Sequence, residues 1–408
     1  MNAPIVPRGS PATGHSVGPA RAVAAGHASL WARWGVMARV GLRMMFHDKL
    51  KMVGTLAGVV FAVVLSGQQA GTFLGLLYKN VMFVQNAEAD LWIAPKSTQA
   101  LQPGQLMSDS ILMQARTTPG VRWAEPLLWG GANLQLRTGG SEQVTLIGVR
   151  GPSLRGGPWN MVVGEPGVLL QPETMIFEDS ERQKFGALNL GSTREVNGHR
   201  VVVGGFTWGL LPFGPAFAFA ELDLARSLMK TGADQLNYVL VGLRPGADSA
   251  RVAAELRARA PEARVFTKKE LERSTIFYIL TQTAIGVTFG TATLFGLIVG
   301  FVIVALSMFS AVVDNMREFA TLKAMGSTNW DLAKLLVVQS IAYALLGSLI
   351  GLALVTQVAG AIRSPKLAVL LPSEMLIGMV VIMVLMCTFA SSLALLRLRK
   401  VEPAMVFK

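Results

Sequence analysis

Few side chains in this 408-residue chain could do chemistry, and their spacing argues against it. The four histidines, His15, His27, His47 and His199, are scattered, and the single Cys387 excludes a disulfide framework or a cysteine-based metal cluster. No His/Glu pair stands at metal-ligand spacing, and no Gly-x-Ser-x-Gly elbow that would raise a nucleophile occurs. Glu178, Asp179 and Glu181 could be imagined as a carboxylate cluster for acid/base work, but they read as a solvated acidic turn. The bulky residues between Phe206 and Phe219 suit either a groove for a hydrophobic ligand or the core of a small domain. A phosphate loop, Gly-x-x-x-x-Gly-Lys-Ser/Thr, is missing from these residues, as is any Gly-Lys dipeptide. No catalytic residue, metal ligand or cofactor-binding residue is therefore expected.

The elements explain why chemistry is scarce. Hydrophobic residues make up 51% of the chain and charged ones only 15%, against about 25% in soluble domains. The deficit is local. Residues 52–77, 276–313, 335–362 and 375–396 form runs of 26, 38, 28 and 22 positions without a charge. Each exceeds the ~20 residues a helix needs to cross a bilayer core. Four transmembrane helices follow, with a domain at 78–275 inserted between the first and second. The polar residues in and beside the runs, Gln68, Gln69, Thr281, Gln282, Thr283, Gln339 and Gln357, are not ionisable. Proton- or ion-coupled transport normally uses intramembrane ionisable groups, so an energy source elsewhere is expected.

Glycines recur four apart on these helices: Gly54/Gly58, Gly67/Gly71/Gly75, Gly286/Gly290, Gly296/Gly300 and Gly347/Gly351. Such small-residue notches let helices approach closely in lipid. They predict a packed bundle.

The net charge of +12 sets an orientation rather than a nucleic-acid function. The segment before Met52, the loop between spans two and three and the C-terminal tail hold 14 lysines and arginines, against two in the loop after span three. The positive-inside rule then places both termini in the cytoplasm, with 78–275 outside. Residues 1–30 read as a disordered tail, and 31–51, with Trp31, Trp34 and Phe46 among basic residues, as an interfacial helix. Residues 314–334 form a knuckle, 363–374 a short outer loop and 397–408 a tail.

The inserted segment patterns as an α+β domain. Alternating runs at Leu91–Ile93, Asn133–Arg137, Gln143–Val149 and Arg200–Val203 predict strands, and Ser108–Arg116, Leu222–Lys230 and Ser249–Ala260 predict helices. Glycine and proline at 151–158 and 209–214 suggest two lobes. Thr267-Lys268-Lys269-Glu270 is a capping box. Nothing in the sequence breaks the helix it starts until after Val313, which predicts one helix of about 68 Å, a stalk from about 268 leading into the second span.

In the knuckle, 314–326 reads as an amphipathic helix ended by Gly326, and Thr328 with Asp331 caps the next helix. On physical grounds this is either an ordinary hairpin between spans or a small lever for a partner. Its residues Arg317-Glu318-Phe319-Ala320-Thr321-Leu322-Lys323-Ala324-Met325-Gly326-Ser327, with Gly347 and Gly351 beyond, resemble the FtsX-like permease family of ABC transporters, the MacB-type group. Arg397 to Ala404 is similar to the family's basic, Pro-Ala ending, and 185–191 with 196–203 to its outer-domain pattern; the overall style is closest to the DevC permease branch.

The resemblance implies a homodimeric permease of the bacterial inner (cytoplasmic) membrane, driven by a separate ABC ATPase dimer, which would carry the ATP and Mg. It implies contact with that ATPase through Arg317, Glu318, Phe319, Leu322, Lys323, Ala324, Met325, Gly326, Ser327 and Trp330. A periplasmic adaptor and an outer-membrane channel are further implied partners. The expected function is export of a lipid-like or hydrophobic substrate or a peptide. The alternatives are a non-transporting transducer that activates a cell-wall hydrolase and a lipoprotein-releasing subunit.

Overall fold

The computed structural model describes residues 30–47, 49–212, 214–362 and 369–398, so most of the two expected tails lies outside the described residues. The charge-free runs become helices. Within the described residues four are long and apolar enough to cross a membrane: α2 (Lys49–Asn86), α7 (Ala284–Asp314), α9 (Asn329–Ile362) and α10 (Ser373–Leu398). Ahead of them α1 (Leu30–His47) packs along the start of α9. There Gln339 Nε2 donates to the Gly41 carbonyl at 3.0 Å, and Met45 is buried.

Glycine notches set the bundle's contacts, and α2 is gripped from two sides. Gly300 on α7 rests on Ala62, and Gly347 and Gly351 on α9 rest on Val59 and Val63. Gly296 lies against Leu65 and Ser66, while Gly58 of α2 receives Ile303 in return. The other pair departs from the expectation. Gly290 has no neighbour within 4 Å of where a Cβ would stand, and Gly286 faces the carbonyls of the preceding helix rather than another span.

The inserted domain is built on one mixed sheet. Its elements are β1 (Leu91–Pro95), β2 (Met107–Ser108), α3 (Ser110–Arg116), β3 (Val121–Gln135), β4 (Ser141–Val149), β5 (Met161–Val163), β6 (Thr174–Glu178), β7 (Thr193–Val196), β8 (His199–Thr207), β9 (Phe217–Glu221), α4 (Leu222–Met229), β10 (Gln235–Leu236), β11 (Tyr238–Leu243), α5 (Ser249–Arg259) and β12 (Ala263–Thr267). The ten-stranded sheet runs β12-β1-β11-β3-β4-β9-β6-β8-β5, with β7 paired to β3 and β8. It passes through both expected lobe boundaries, because β4 before the first pairs in parallel with β9 after the second. Strand β3 begins 12 residues before the predicted Asn133, through Pro126 and Gly130-Gly131. These residues ordinarily weaken a strand. Here Gly130 makes room for the Met229 sulfur of α4, and Gly148 makes room for Ala225.

Alternation along the strands gives the sheet two apolar faces. Leu91, Ile93, Leu128, Leu134 and Leu146 point to a face covered by α3, α4 and α5. Trp92, Trp129, Ile147, Phe217 and Tyr238 point to the other, which receives Phe83 from α2 and Leu271 from α6 (Lys268–Gln282). The domain therefore sits on the ends of the two helices that tether it.

Both tethers differ from the reading in an informative way. Helix α2 does not stop at Leu77 but continues nine residues further to Asn86, giving 38 residues and about 57 Å. Lys79, whose charge ends the apolar run, is accommodated by donating to the Gly209 carbonyl at 3.3 Å. The second tether is not one helix. Thr283 adopts extended geometry (φ −114°, ψ 149°), dividing the expected stalk into α6 and α7.

Candidate functional site

Among the described residues no cluster of three or more His, Cys, Asp or Glu could hold a metal. What the structure offers is a path between two ends of the bundle, formed by a knuckle, a rod and a joint.

The knuckle forms as its sequence dictates. Helix α8 (Met316–Ala324) ends in a turn in which Gly326, at φ +94°, lets Gly326 N and Ser327 N reach the carbonyls of Lys323 and Leu322, each at 3.0 Å. Thr328 and Asp331 cap α9 reciprocally. Asp331 Oδ2 accepts from Thr328 N (3.2 Å) and Oγ1 (2.7 Å), and Asp331 N donates to Thr328 Oγ1 (3.3 Å).

Burial sorts the ten expected coupling residues. Arg317, Glu318, Ala324, Met325, Gly326 and Trp330 are exposed, with Met325 71% and Trp330 77% accessible. Leu322, Lys323 and Ser327 are half-buried. Phe319 is buried in the cluster with Met45, Met308, Leu332 and Leu335, so it holds the knuckle rather than touching a partner. The root of the knuckle is tied to the rod: Lys51 Nζ of α2 lies 3.2 Å from Asp314 Oδ2 at the end of α7.

At its far end α2 is socketed in the sheet. Phe83 stands edge-on to Trp92, Trp129, Trp159 and Phe217, with ring centroids 6.1, 4.8, 5.7 and 5.7 Å away. Such edge-to-face pairs add to the stabilisation from burial alone. Beside them Tyr238 donates its hydroxyl to the Gln102 carbonyl at 2.7 Å, and burial pushes its phenol up to about 12. Phe206, Phe217 and Phe219 are buried in the domain core, whereas Trp208 is exposed and Phe213 lies outside the described residues.

The acidic turn is the clearest correction. Glu178 is fully buried, not solvated, and Glu181 is 6% exposed. Glu178 accepts from Ser180 Oγ (2.7 Å), Thr207 Oγ1 (2.9 Å), Gly209 N (2.6 Å) and Leu210 N (3.0 Å). It pins the loop whose Gly209 carbonyl receives Lys79. A buried carboxylate needs such partners, since removal from water is otherwise prohibitive. The sequence signal was thin: apart from Ser180, the donors lie 29 to 32 residues downstream.

The α6–α7 joint is the third part. The capping box of α6 forms in both directions, Thr267 N to Glu270 Oε2 at 2.8 Å and Glu270 N to Thr267 Oγ1 at 3.2 Å. After the break Gly286 lies so close to the last turn of α6 that a Cβ would meet the Leu280 carbonyl and stand 2.6 Å from that of Ile279. The rod is continuous; the other tether is articulated.

Comparison with known proteins gives the class. Residues 290–403, from within α7 through α10 and beyond, match the family model described as FtsX-like permease C-terminal. The chain thus has, among the described residues, four helices long and apolar enough to cross a membrane, an α+β domain inserted between the first and second, and a C-terminal stretch that matches the FtsX-like permease C-terminal model. No curated protein matches the chain. Among solved structures, it is similar to the periplasmic region of MacB from Actinobacillus actinomycetemcomitans, at 10% identity over 47% of this chain and 94% of that one, with a TM-score of 0.37. It is also similar to the extracellular domain of the noncanonic ABC-type transporter YknZ from Gram-positive bacteria, at 14% identity over 44% of this chain and 99% of that one, with a TM-score of 0.33.

Proposed function

We propose that this chain is the permease subunit of an ABC transporter of the mechanotransmission type. A separate ATPase dimer presses on the exposed face of the knuckle, and the bundle relays the movement to the inserted domain outside the membrane. The substrate class is lipid-like or hydrophobic molecules or peptides, moved outward. The observation that carries this reading is the continuity of α2. One end is ion-paired to the root of the knuckle through Lys51 and Asp314, and the other ends in the aromatic socket around Phe83. A helix held at both ends transmits displacement; a mere anchor would need neither attachment.

Exposed apolar residues beside charges suit a protein contact. The double substitution Met325→Glu with Trp330→Glu lies on the surface and leaves Phe319 in place, so the fold is expected to persist. The expected outcome is loss of co-purification of the cognate ATPase, with ATP hydrolysis by the mixed subunits falling to that of the ATPase alone. Undiminished co-purification and turnover would refute the knuckle as the coupling surface.

A further inference from the structure

A cleft with a volume of about 740 Å³ runs between α2, α6, α9 and the Val369–Pro372 segment, within the range of small-molecule sites. Its walls include Leu74, Tyr78, Gln85, Ile276, Gly360 and Leu370. The floor is fixed where Leu370 N donates to the Gly71 carbonyl at 3.0 Å, inside the charge-free run of α2. From Leu74 to Gln85 the wall climbs about 16 Å along the helix. The cleft thus starts within the apolar span and ends beyond it, beside the inserted domain.

The walls are mostly aliphatic, from Leu74, Leu77, Val81, Ile276 and Leu370, with Tyr78, Gln85 and Thr356 as the polar lining residues. At the upper end Lys268, just outside the wall, donates from Nζ to the backbone carbonyl of the lining residue Gln85 at 2.8 Å, which puts an ammonium beside that end. Aliphatic walls opening from the bilayer region, with a cation at the far end, suit an acyl chain attached to an anionic headgroup. A soluble peptide would leave its backbone amides unsatisfied against these walls.

We infer that this cleft binds one acyl chain of an anionic membrane amphiphile, with the headgroup held at Lys268. The inference rests on the permease reading only in treating that amphiphile as cargo; binding itself requires no ATPase. Cleft and joint are contiguous, since Ile276 of α6 forms part of the wall, so bending at Thr283 would change its width.

The test uses the full chain in phosphatidylcholine nanodiscs carrying a trace of diazirine-acyl phosphatidylglycerol, with peptides mapped after illumination. Label should concentrate on residues 74–85 of α2, about tenfold above the exposed Phe295 and Leu349, a ratio expected of a modest binding site. Gly360 has open space where a side chain would project, so Gly360→Phe should fill the cleft and lower that labelling about tenfold. Lys268→Gln should abolish the preference for phosphatidylglycerol over a phosphatidylcholine probe while retaining acyl labelling. Label spread evenly over the lipid-facing residues, or unchanged in Gly360→Phe, would overturn the inference, and a headgroup preference surviving Lys268→Gln would overturn the role of Lys268. If Gly360→Phe is not monodisperse, the wild-type map decides alone. A failed permease reading shows instead in the Met325/Trp330 hydrolysis assay, which this binding measurement does not involve.

Discussion

Replacing Phe83 with alanine is expected to lower the unfolding midpoint of the inserted domain by about 10 °C. Truncating a buried phenylalanine costs roughly 3–5 kcal/mol through lost transfer energy and the cavity left behind. For a domain of this size each kcal/mol moves the midpoint by about 2–4 °C. Phe83 is 1% exposed and touches three tryptophans, Trp92, Trp129 and Trp159, so tryptophan emission during heating reports directly on its surroundings. The substitution should also uncouple, because it loosens the aromatic attachment of α2 to the sheet while leaving the knuckle intact. ATPase binding would persist and movement of the domain would fall. A midpoint shift below about 2 °C would show that the socket does not hold the rod.

The second large effect is expected at Glu178. Alanine there removes the acceptor for Thr207 Oγ1, Gly209 N and Leu210 N together. Leaving buried donors without an acceptor costs about 1–3 kcal/mol each. Glutamine retains one accepting oxygen and should fall between alanine and wild type. Protease sensitivity of the 207–212 segment separates this substitution from Phe83→Ala. It should rise sharply for Glu178→Ala and stay near wild type for Phe83→Ala. Equal stability of Glu178→Ala and wild type would contradict the pinning role.

Much of the fold was legible because bilayer spans and helix caps are local signals. The four charge-free runs mark α2, α7, α9 and α10, and Thr267/Glu270, Gly326 and Thr328/Asp331 each form the turn their residue types dictate. What escaped depends on contacts distant in sequence. Lys79 looked like the end of a span because its acceptor, Gly209, lies 130 residues away. Glu178 looked solvated because nothing in Glu-Asp-Ser-Glu indicates that Thr207 to Leu210 will enclose it. The break at Thr283 has no proline to announce it; Gly286 looked like one more packing notch, although its missing Cβ serves the approach of α7 to α6. The expected coupling surface rests on resemblance alone, and only packing shows that Phe319 is buried within the knuckle.

The central claim, that α2 moves as a rod while the other tether bends at Thr283, is open to one direct measurement. Cys387, the single native cysteine, is buried, which leaves introduced cysteines free to be spin-labelled selectively. One pair, Lys269→Cys with Gly290→Cys, spans the joint, and both positions are exposed. A second pair, Phe61→Cys with Gln85→Cys, lies along α2. With the ATPase present, pulsed electron resonance should show the first distance changing between the nucleotide-free and ATP-trapped states, while the second stays fixed. An unchanged distance across the joint during active hydrolysis, or a change along α2, would contradict the account.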